Sequence, residues 1–258
     1  MLQSKYFLSI LFCCFLLTLF LFFALPANAE GKNQISSETL FEAFLSRLHP
    51  ESMEMILDGT PDENGRVRRI YLDFEGCHVG NVRIERLQVD AIDVTFTPTS
   101  SWDEKGPGVE QALLVRTKTR VYEDDIDAAL RSGSFGGVEE DWQDIKLRFR
   151  DGSVYVEGHK KVLILNIFFE LQGQLSINHG REIWLTDYSM HINNSNAPKG
   201  LMESTVSKIQ PLIDFGTFPF PLNLKRIIPE KNYMIFESRK SPQPFEGKSF
   251  RYKGSNNL

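Results

Sequence analysis

The side chains that could carry out chemistry in this 258-residue chain are few and far apart. No two of the five histidines stand at the spacing of a zinc-binding pair, and the sequence has no His-Glu-x-x-His motif. One modest acid–base pair is present, Asp187 and His191, whose spacing of four places both on one face of a predicted strand. The sequence therefore predicts no metal site. This pair is the only candidate that it contains for the catalytic residues of an enzyme.

Three other motifs fall short of a functional site. The acidic run at residues 123–127 lacks the alternating ligands, glycine and distal glutamate of a calcium loop, so helix capping explains it better. Residues 132–136 miss the nucleophile elbow, because its first position must be glycine. Residues 106–108 lack the Lys-Ser/Thr pair of a phosphate-binding loop. We therefore expect no catalytic residue and no cofactor.

The N-terminus predicts export. Lys5 is the only charged side chain before Glu30, and the apolar run between them is about twenty residues long, enough to span a bilayer. A small-x-small cleavage pattern follows at residues 27–29. Residues 1–29 are therefore predicted to be a signal peptide or an uncleaved anchor in the inner membrane. In either case the rest of the chain is expected in the periplasm or elsewhere outside the cytoplasm.

The net charge narrows the class of partner. The net charge is −5, and loss of Lys5 with the leader lowers it to −6. This balance argues against nucleic acid as a partner and against broad electrostatic attachment to an anionic membrane.

Cleavage would also remove Cys13 and Cys14 and leave Cys77 alone, so no internal disulfide is expected. We interpret Cys77 as a small buried apolar residue.

Apolar periodicity predicts two long strands and a hairpin. Residues 66–77 form the first strand and residues 81–97 the second, whose apolar positions change parity twice. A strand that keeps one face buried changes parity only through bulges or bends, which suit a curved sheet. Asp151-Gly152 between two alternating runs predicts a hairpin.

The predicted fold is α+β. We expect a long, curved antiparallel sheet wrapped around an amphipathic C-terminal helix at residues 198–215, with short N-terminal helices. No internal boundary interrupts residues 30–238, which we interpret as a single domain. Residues 239–258 are polar and rich in Lys, Pro and Gly, and they predict a flexible tail.

The most apolar strand and the C-terminal helix together predict an apolar groove, because a sheet that closes on one helix leaves a seam. A plain core without a cavity explains the same residues at least as well. Three phenylalanines follow the helix among glycines and prolines, and we expect them to guard the mouth of the groove. The predicted lipid-binding residues are Leu163, Leu165, Ile167 and Phe169 from the strand, Met202, Val206, Ile209 and Ile213 from the helix, and Phe215, Phe218 and Phe220 at the mouth.

Four segments carry a resemblance to a known family. They are strands of alternating character, a short acidic-capped helix, an Asp-Gly hairpin, and a Pro-containing helix end that leads into a Pro-Phe-rich strand entry. They lie at residues 82–96, 121–130 (VYEDDIDAAL), 145–156 and 208–226 (KIQPLIDFGTFPFPLNLKR). In this order, over about residues 36–238, the chain resembles the LmeA family of phospholipid-binding proteins.

The resemblance implies a tubular lipid-binding (TULIP-like) fold, in which a twisted antiparallel sheet wraps a long helix around an apolar groove. It also implies binding of a phospholipid in the cell envelope, with carriage of that lipid as an extension of this role, and no catalytic residues. The loop at residues 98–108 and the tail from residue 238 have no counterpart in the family pattern. Our leading hypothesis is therefore an exported, non-enzymatic phospholipid-binding protein that contacts the membrane transiently or through its N-terminus.

Two alternative functions stay open from the sequence. The first is a structural or assembly factor of the envelope that binds a protein partner through a sheet edge. The second is an envelope enzyme that acts on a lipid-linked substrate through Asp187 and His191.

Overall fold

The structure is a computed structural model that describes residues 28–131, 142–150, 152–162 and 165–254. The predicted leader at residues 1–29 lies outside this part of the chain, except for its last two residues. The helices are α1 Asn28–Leu48, α2 Trp102–Lys105, α3 Glu123–Arg131 and α4 Lys199–Lys208. The strands are β1 Ser52–Asp58, β2 Arg66–Val79, β3 Val82–Phe96, β4 Val109–Tyr122, β5 Trp142–Arg150, β6 Ser153–Val162, β7 Leu165–Asn178, β8 Glu182–Ile192, β9 Ser195–Asn196, β10 Ile213–Asp214, β11 Arg226–Pro229, β12 Tyr233–Glu237 and β13 Lys248–Lys253.

The described strands form two antiparallel sheets. The first has seven strands in the order β11-β12-β4-β3-β2-β1-β13. The second has the order β10-β8-β7-β6-β5, and β9 pairs with β8. One hydrophobic core includes side chains from both sheets and from all four of these helices. These findings confirm the antiparallel α+β class, whereas the single sheet predicted is in fact two sheets and the 21-residue α1 is longer than the short N-terminal helices predicted. Among the described residues, no helix combines the length and the apolar character that crossing a membrane requires.

The long strands β2 and β3 change their core-facing side twice. In β3 the core side chains lie at positions 82 and 84, then 87, 89 and 91, then 94 and 96. The strand β2 changes parity at the positions that pair with these. Each change coincides with a residue of positive φ, Gly76 in β2 (φ 60°) and Asp93 in β3 (φ 48°). The two changes of parity predicted from the sequence are therefore confirmed.

The helix α1 covers the first sheet through an aromatic cluster. Phe44 contacts Phe74 of β2 and Phe220, with ring centroids 6.3 and 5.9 Å apart. Phe218 packs on Phe74 at 6.3 Å, and Phe96 of β3 packs on Phe220 at 6.2 Å. Rings at such separations add to the stabilisation that apolar burial provides. The chain after residue 214 therefore fills the space between α1 and the first sheet.

The C-terminal helix is shorter than predicted. The helix α4 ends at Lys208, whereas the sequence predicted a helix over residues 198–215. Pro211 disfavours helical geometry in the residue before it and lacks the N–H that a helix needs. Beyond it, Ile213 pairs with Ile183 of β8. The long helix wrapped by the sheet is therefore not found in the described residues.

The segment predicted as a flexible tail crosses the outer face of the first sheet. Arg69 donates a hydrogen bond to the carbonyl oxygen of Gln243 (3.1 Å), and its guanidinium lies 4.5 Å from the Phe245 ring centroid. The strand β13 then pairs with β1 over six residues. The main-chain hydrogen bonds of an open edge and an aromatic anchor are long-range interactions, which polar composition alone does not reveal.

A buried carboxylate holds this face of the sheet together. Asp90 is 0% exposed and accepts two hydrogen bonds from Arg69 (2.8 and 3.0 Å) and one from Arg116 (2.7 Å). Burial opposes ionisation of Asp90, but the hydrogen bonds and charges of the two arginines outweigh it, and its pKa is lowered. The ionised carboxylate therefore joins β2, β3 and β4.

We expect Asp90→Asn to lower the free energy of unfolding at pH 7 by on the order of 2–3 kcal/mol, because two partly buried guanidinium groups lose their counter-charge. The folded-state pKa of Asp90 is below the unfolded value of about 3.9, so its contribution is present above that value and is lost as pH falls through the folded pKa. Urea denaturation at pH 7 and near pH 3 measures both effects. A difference between wild type and variant that grows on acidification would contradict this assignment.

Candidate functional site

The hairpin β5–β6 has one apolar face, which forms part of the inner face of the second sheet. Arg150 pairs with Ser153 across the turn, and Gly152 has a φ of 76°, which other residues rarely adopt. The Asp151-Gly152 hairpin predicted from the sequence is confirmed by this register. Alternate residues of the hairpin, such as Leu147 and Val154, are buried.

Two carboxylates of α3 bind the outer edge of β5. Asp127 accepts a hydrogen bond from the backbone N–H of Leu147 (3.1 Å), and Glu123 accepts one from the backbone N–H of Phe149. Both carboxylate side chains are buried. They satisfy N–H groups that the edge strand would otherwise leave without an acceptor. The helix α3 follows β4 directly, so these bonds fasten the second sheet to the first.

The acidic run therefore holds the edge of β5. This role differs from the helix capping that the sequence suggested. Burial raises the pKa of Asp127, while the positive charge of Arg131 (3.3 Å) opposes the rise. Burial likewise raises the pKa of Asp125, which faces Arg83 at 3.4 Å. The described ranges contain no cluster of three or more His, Cys, Asp or Glu side chains arranged to hold a metal ion.

An apolar cleft lies between α4 and the inner face of the second sheet. Its cavity volume is about 30 Å³. Ligand sites typically have volumes of about 300–1,000 Å³ and mostly apolar linings, so this cleft has the lining of such a site but must widen to admit a lipid chain. One wall belongs to α4, and the C-terminal end of α3 closes one side. The lining residues are Leu130, Ile145, Val156, Phe169, Leu171, Thr205, Lys208 and Ile209.

The structure brings two of the predicted groove residues together in this cleft. Phe169 of β7 lines it, and so does Ile209, which directly follows the end of α4. Val206 is buried on the same helix, and Met202 packs against the core one turn earlier. Ile167 is half-buried on the same strand as Phe169. Lipid contact by all these residues stays a prediction.

Two predicted strand residues have no described side chain. Leu163 lies outside the described residues, and Leu165 is described only as the first position of β7. Their place relative to the cleft therefore stays a prediction.

The predicted mouth residues lie elsewhere. Phe215, Phe218 and Phe220 are buried in the core, and the last two belong to the aromatic cluster under α1. Ile213 is buried at its pairing with β8. None of these four side chains lines the cleft between α4 and the second sheet. The loop of glycines and prolines is thus covered by α1, which accounts for its aromatic content without a ligand.

Several lining residues were missed in the prediction from sequence. Leu130 comes from the end of α3, and Ile145 and Val156 come from the two strands of the hairpin. The alternation of the hairpin could have identified the last two, because register opposes Leu147 to Val156 and fixes the shared face. Nothing in the local sequence places Leu130 beside them.

The candidate acid–base pair does not share one regular strand face. The register of β7 with β8 shifts between Gln172 and Gln174, and Asp187 has a φ of 47° in the shifted segment. The buried positions of β8 move from Leu185 to Met190 across it. A spacing of four therefore no longer places Asp187 and His191 on one face, contrary to our expectation.

The free cysteine is unsuited to nucleophilic chemistry. Cys77 is buried in the core, and burial raises its pKa to about 12. The thiol therefore stays protonated at physiological pH, and a protonated thiol is a poor nucleophile. This finding agrees with our interpretation of Cys77 as a small apolar core residue.

Comparison with known proteins gives a family match. Residues 43–238 match a family model described as LmeA-like phospholipid-binding. The matched range contains α3, both strands of the hairpin and α4, and so every element that lines the cleft. No curated protein and no solved structure matches the chain.

We expect Asp127→Ala to lower the free energy of unfolding by about 1–3 kcal/mol, because the N–H of Leu147 would be left buried without an acceptor. Asp127→Asn should lose less, since its amide oxygen can still accept this hydrogen bond. The exposed Asp124→Ala, on the same helix, is the matched control and should change stability by no more than about 0.5 kcal/mol. Urea denaturation measures all three. Equal losses for Ala and Asn would show that the hydrogen bond does not hold β5.

Proposed function

This chain belongs to the LmeA-like phospholipid-binding family, and from that premise we propose that it binds a phospholipid in the cleft between α4 and the second sheet. The observation that carries the proposal is an apolar cleft inside the matched range, lined by aliphatic and aromatic side chains with a cation at one end. The protein holds the lipid without changing it chemically. Fold membership alone would not select this cleft, and its lining does.

The energetics favour an acyl chain as the buried part of the ligand. Burial of each CH₂ group contributes about 0.8 kcal/mol, so a fourteen-carbon chain gains on the order of 10 kcal/mol. The loss of translational and rotational freedom on association costs about 4–15 kcal/mol. The two magnitudes overlap, so the affinity depends on how much of the acyl chain is buried. Phe169, Leu171 and Ile209 supply the apolar surface for this contact.

A polar end to the cleft suits a phosphate group. Lys208 is exposed and also lines the cleft, so its flexible side chain can bring the ammonium group to the opening of the cleft. Thr205 lies one turn earlier on the same helix and adds a hydroxyl group. An ammonium group binds phosphate oxygens through charge-assisted hydrogen bonds. We propose that the headgroup phosphate lies at Lys208 while an acyl chain enters toward Phe169.

Export is the second part of the proposal. The charge and apolar run of residues 1–29 support a signal peptide or an uncleaved anchor, with the lipid-binding domain in the periplasm or elsewhere outside the cytoplasm. The domain would contact the membrane surface transiently, or stay near it through the anchor. A lipid carrier in the cell envelope needs such contact in order to load and release its ligand.

We expect Ile209→Asp to reduce phospholipid uptake from vesicles by about tenfold or more, because a carboxylate in the cleft makes acyl-chain burial unfavourable. Leu201→Asp is the matched control, since Leu201 lies on the same helix, is 48% exposed and does not line the cleft. Native mass spectrometry, with organic extraction of whatever co-purifies, measures occupancy in both variants.

The wild-type protein should carry a phospholipid at near one-to-one ratio. A lipid-free mass together with no uptake from added vesicles would overturn the proposed function. Equal uptake by the two aspartate variants, with both folded, would retain lipid binding and remove this cleft as its site.

Lys208→Ala should weaken binding of a phospholipid about three- to fivefold, as expected for the loss of one exposed charge pair. Binding of a diacylglycerol with the same acyl chains should not change, because that lipid has no phosphate. Lys199→Ala is the control, because Lys199 is exposed on the same helix and pairs with Glu203 (3.7 Å). Competition with a fluorescent lipid measures these affinities. A uniform loss for both lipids would place Lys208 in packing and not in headgroup recognition.

A further inference from the structure

A small cavity lies on the outer face of the first sheet, where β3, β4 and β12 run side by side. Its volume is about 90 Å³. A cavity of about 10–15 Å³ holds one water molecule, so this one has room for a group of several atoms such as a phosphate. The lining residues are Arg86, Gln88, Lys118, Thr119, Arg120 and Ile235.

The register of the three strands forms this cavity. Arg86 of β3 lies directly opposite Arg120 of β4, and Arg120 lies opposite Ile235 of β12. In the next row, Gln88 lies opposite Lys118. Three long cationic side chains therefore stand beside one shorter isoleucine, which leaves the hollow between them.

The cavity is separate from the lipid cleft. The core residues Leu87 and Val89 of β3 and Val121 of β4 alternate with the lining residues, so the lining side chains project away from the core. The lipid cleft lies on the inner face of the second sheet. A ligand in the cavity is therefore independent of the proposed lipid binding.

Two of the three cations have no counter-charge. Within the described part of the chain, no acidic group lies within 4 Å of the charged nitrogens of Lys118 or Arg120. Glu237 lies opposite Lys118 in the register, but both of its carboxylate oxygens have other partners. One pairs with Arg226 at 2.7 Å, and the other accepts a hydrogen bond from the hydroxyl of Ser241 at 3.3 Å.

The third cation is compensated and still has a donor to spare. Arg86 donates to the carboxylate of Asp73 through Nε (2.9 Å) and Nη2 (2.7 Å), which leaves its Nη1 group for another acceptor. Like charges directly opposite each other destabilise a strand pair, and Arg86 faces Arg120 in this way. An anion bound between the two guanidinium groups would relieve this repulsion.

The guanidinium group of Arg120 is held in place by an aromatic ring. It lies 5.1 Å from the ring centroid of Tyr233, which itself packs edge-to-face on Tyr122 at 5.6 Å. A ring face contacts the flat side of a guanidinium group and leaves its in-plane N–H groups able to donate. The Nε atom of Arg120 is buried and has no hydrogen-bond partner within the described residues. Buried N–H groups of this kind are rare and indicate a bound water or ion.

We propose that this cavity binds a phosphate group. Lys118 supplies a point charge, and Arg120 and Arg86 supply N–H donors in the fork geometry that suits phosphate oxygens. A phosphate monoester has a charge of about −1.5 to −2 at pH 7, which matches the two cations without a counter-charge. A soluble phosphate compound and the headgroup of phosphatidic acid at a membrane surface both present this group.

Calorimetric titration of the full chain with inorganic phosphate, at constant ionic strength, tests the site. We expect saturable binding that Lys118→Gln weakens about fivefold and Arg120→Gln about tenfold, with a smaller loss for Arg120→Lys, which keeps the charge. Lys105→Gln is the matched control, because Lys105 is exposed at the end of α2, beyond the far end of β3, and loses the same charge. Lys208→Ala should bind phosphate as the wild type does, which separates this site from the lipid cleft.

Circular dichroism checks that each variant folds. The absence of saturable phosphate binding by the wild type, or equal losses in Lys118→Gln and Lys105→Gln, would overturn the proposal.

Vesicles of phosphatidylcholine with added phosphatidic acid identify the source of the phosphate. If Lys118→Gln weakens cosedimentation with these vesicles about fivefold more than Lys105→Gln does, the cavity binds a lipid headgroup. If the two variants bind the vesicles equally while Lys118→Gln alone loses inorganic phosphate, the ligand is a soluble phosphate compound. Equal behaviour of the two variants toward both probes would contradict a phosphate site here.

Discussion

The candidate site depends on two hydrogen bonds, in which backbone N–H groups at the edge of β5 donate to two buried carboxylates of α3. An edge strand must give its outward N–H groups an acceptor, and water is excluded here by the packing of α3. Glu123 and Asp127 supply the acceptors. Because α3 follows β4 without a linker, these bonds set the position of the second sheet relative to the first. They also place Leu130, at the end of α3, beside Ile145 of β5, and so form one side of the cleft.

The cleft and the core are made of the same kind of side chain. Aromatic rings under α1 interlock at centroid distances of 5.9 to 6.3 Å, and that region is filled by the chain itself. On the inner face of the second sheet, α4 is ten residues long and covers part of the apolar surface. The rest of that surface stays available to a ligand. The short helix α4 therefore leaves an apolar cleft, which we propose widens to take up a lipid chain.

Charge pairing neutralises several arginines of the described residues. The cluster of arginines at residues 66–69 is largely neutralised, since Arg68 pairs with Asp58 (2.7 Å) and Arg69 with Asp90 (2.8 Å). Arg226 pairs with Glu237 at 2.7 Å. These pairs bind strands to one another and agree with the net negative charge. Lys208 differs from them because it stands at the cleft, where a headgroup phosphate would be its partner.

Local order in the sequence determined the antiparallel strands, the Asp-Gly hairpin, the two changes of parity in β3 and the family resemblance. Each of these depends on neighbours in the chain or on the order of elements, so periodicity and turn chemistry reveal them. The burial of Phe218 and Phe220 under α1, the pairing of β13 with β1 and the shift of register at Asp187 were decided by tertiary structure. The cleft belongs with these. A cleft is surface that packing leaves uncovered, and how much a helix covers depends on contacts between residues far apart in the sequence.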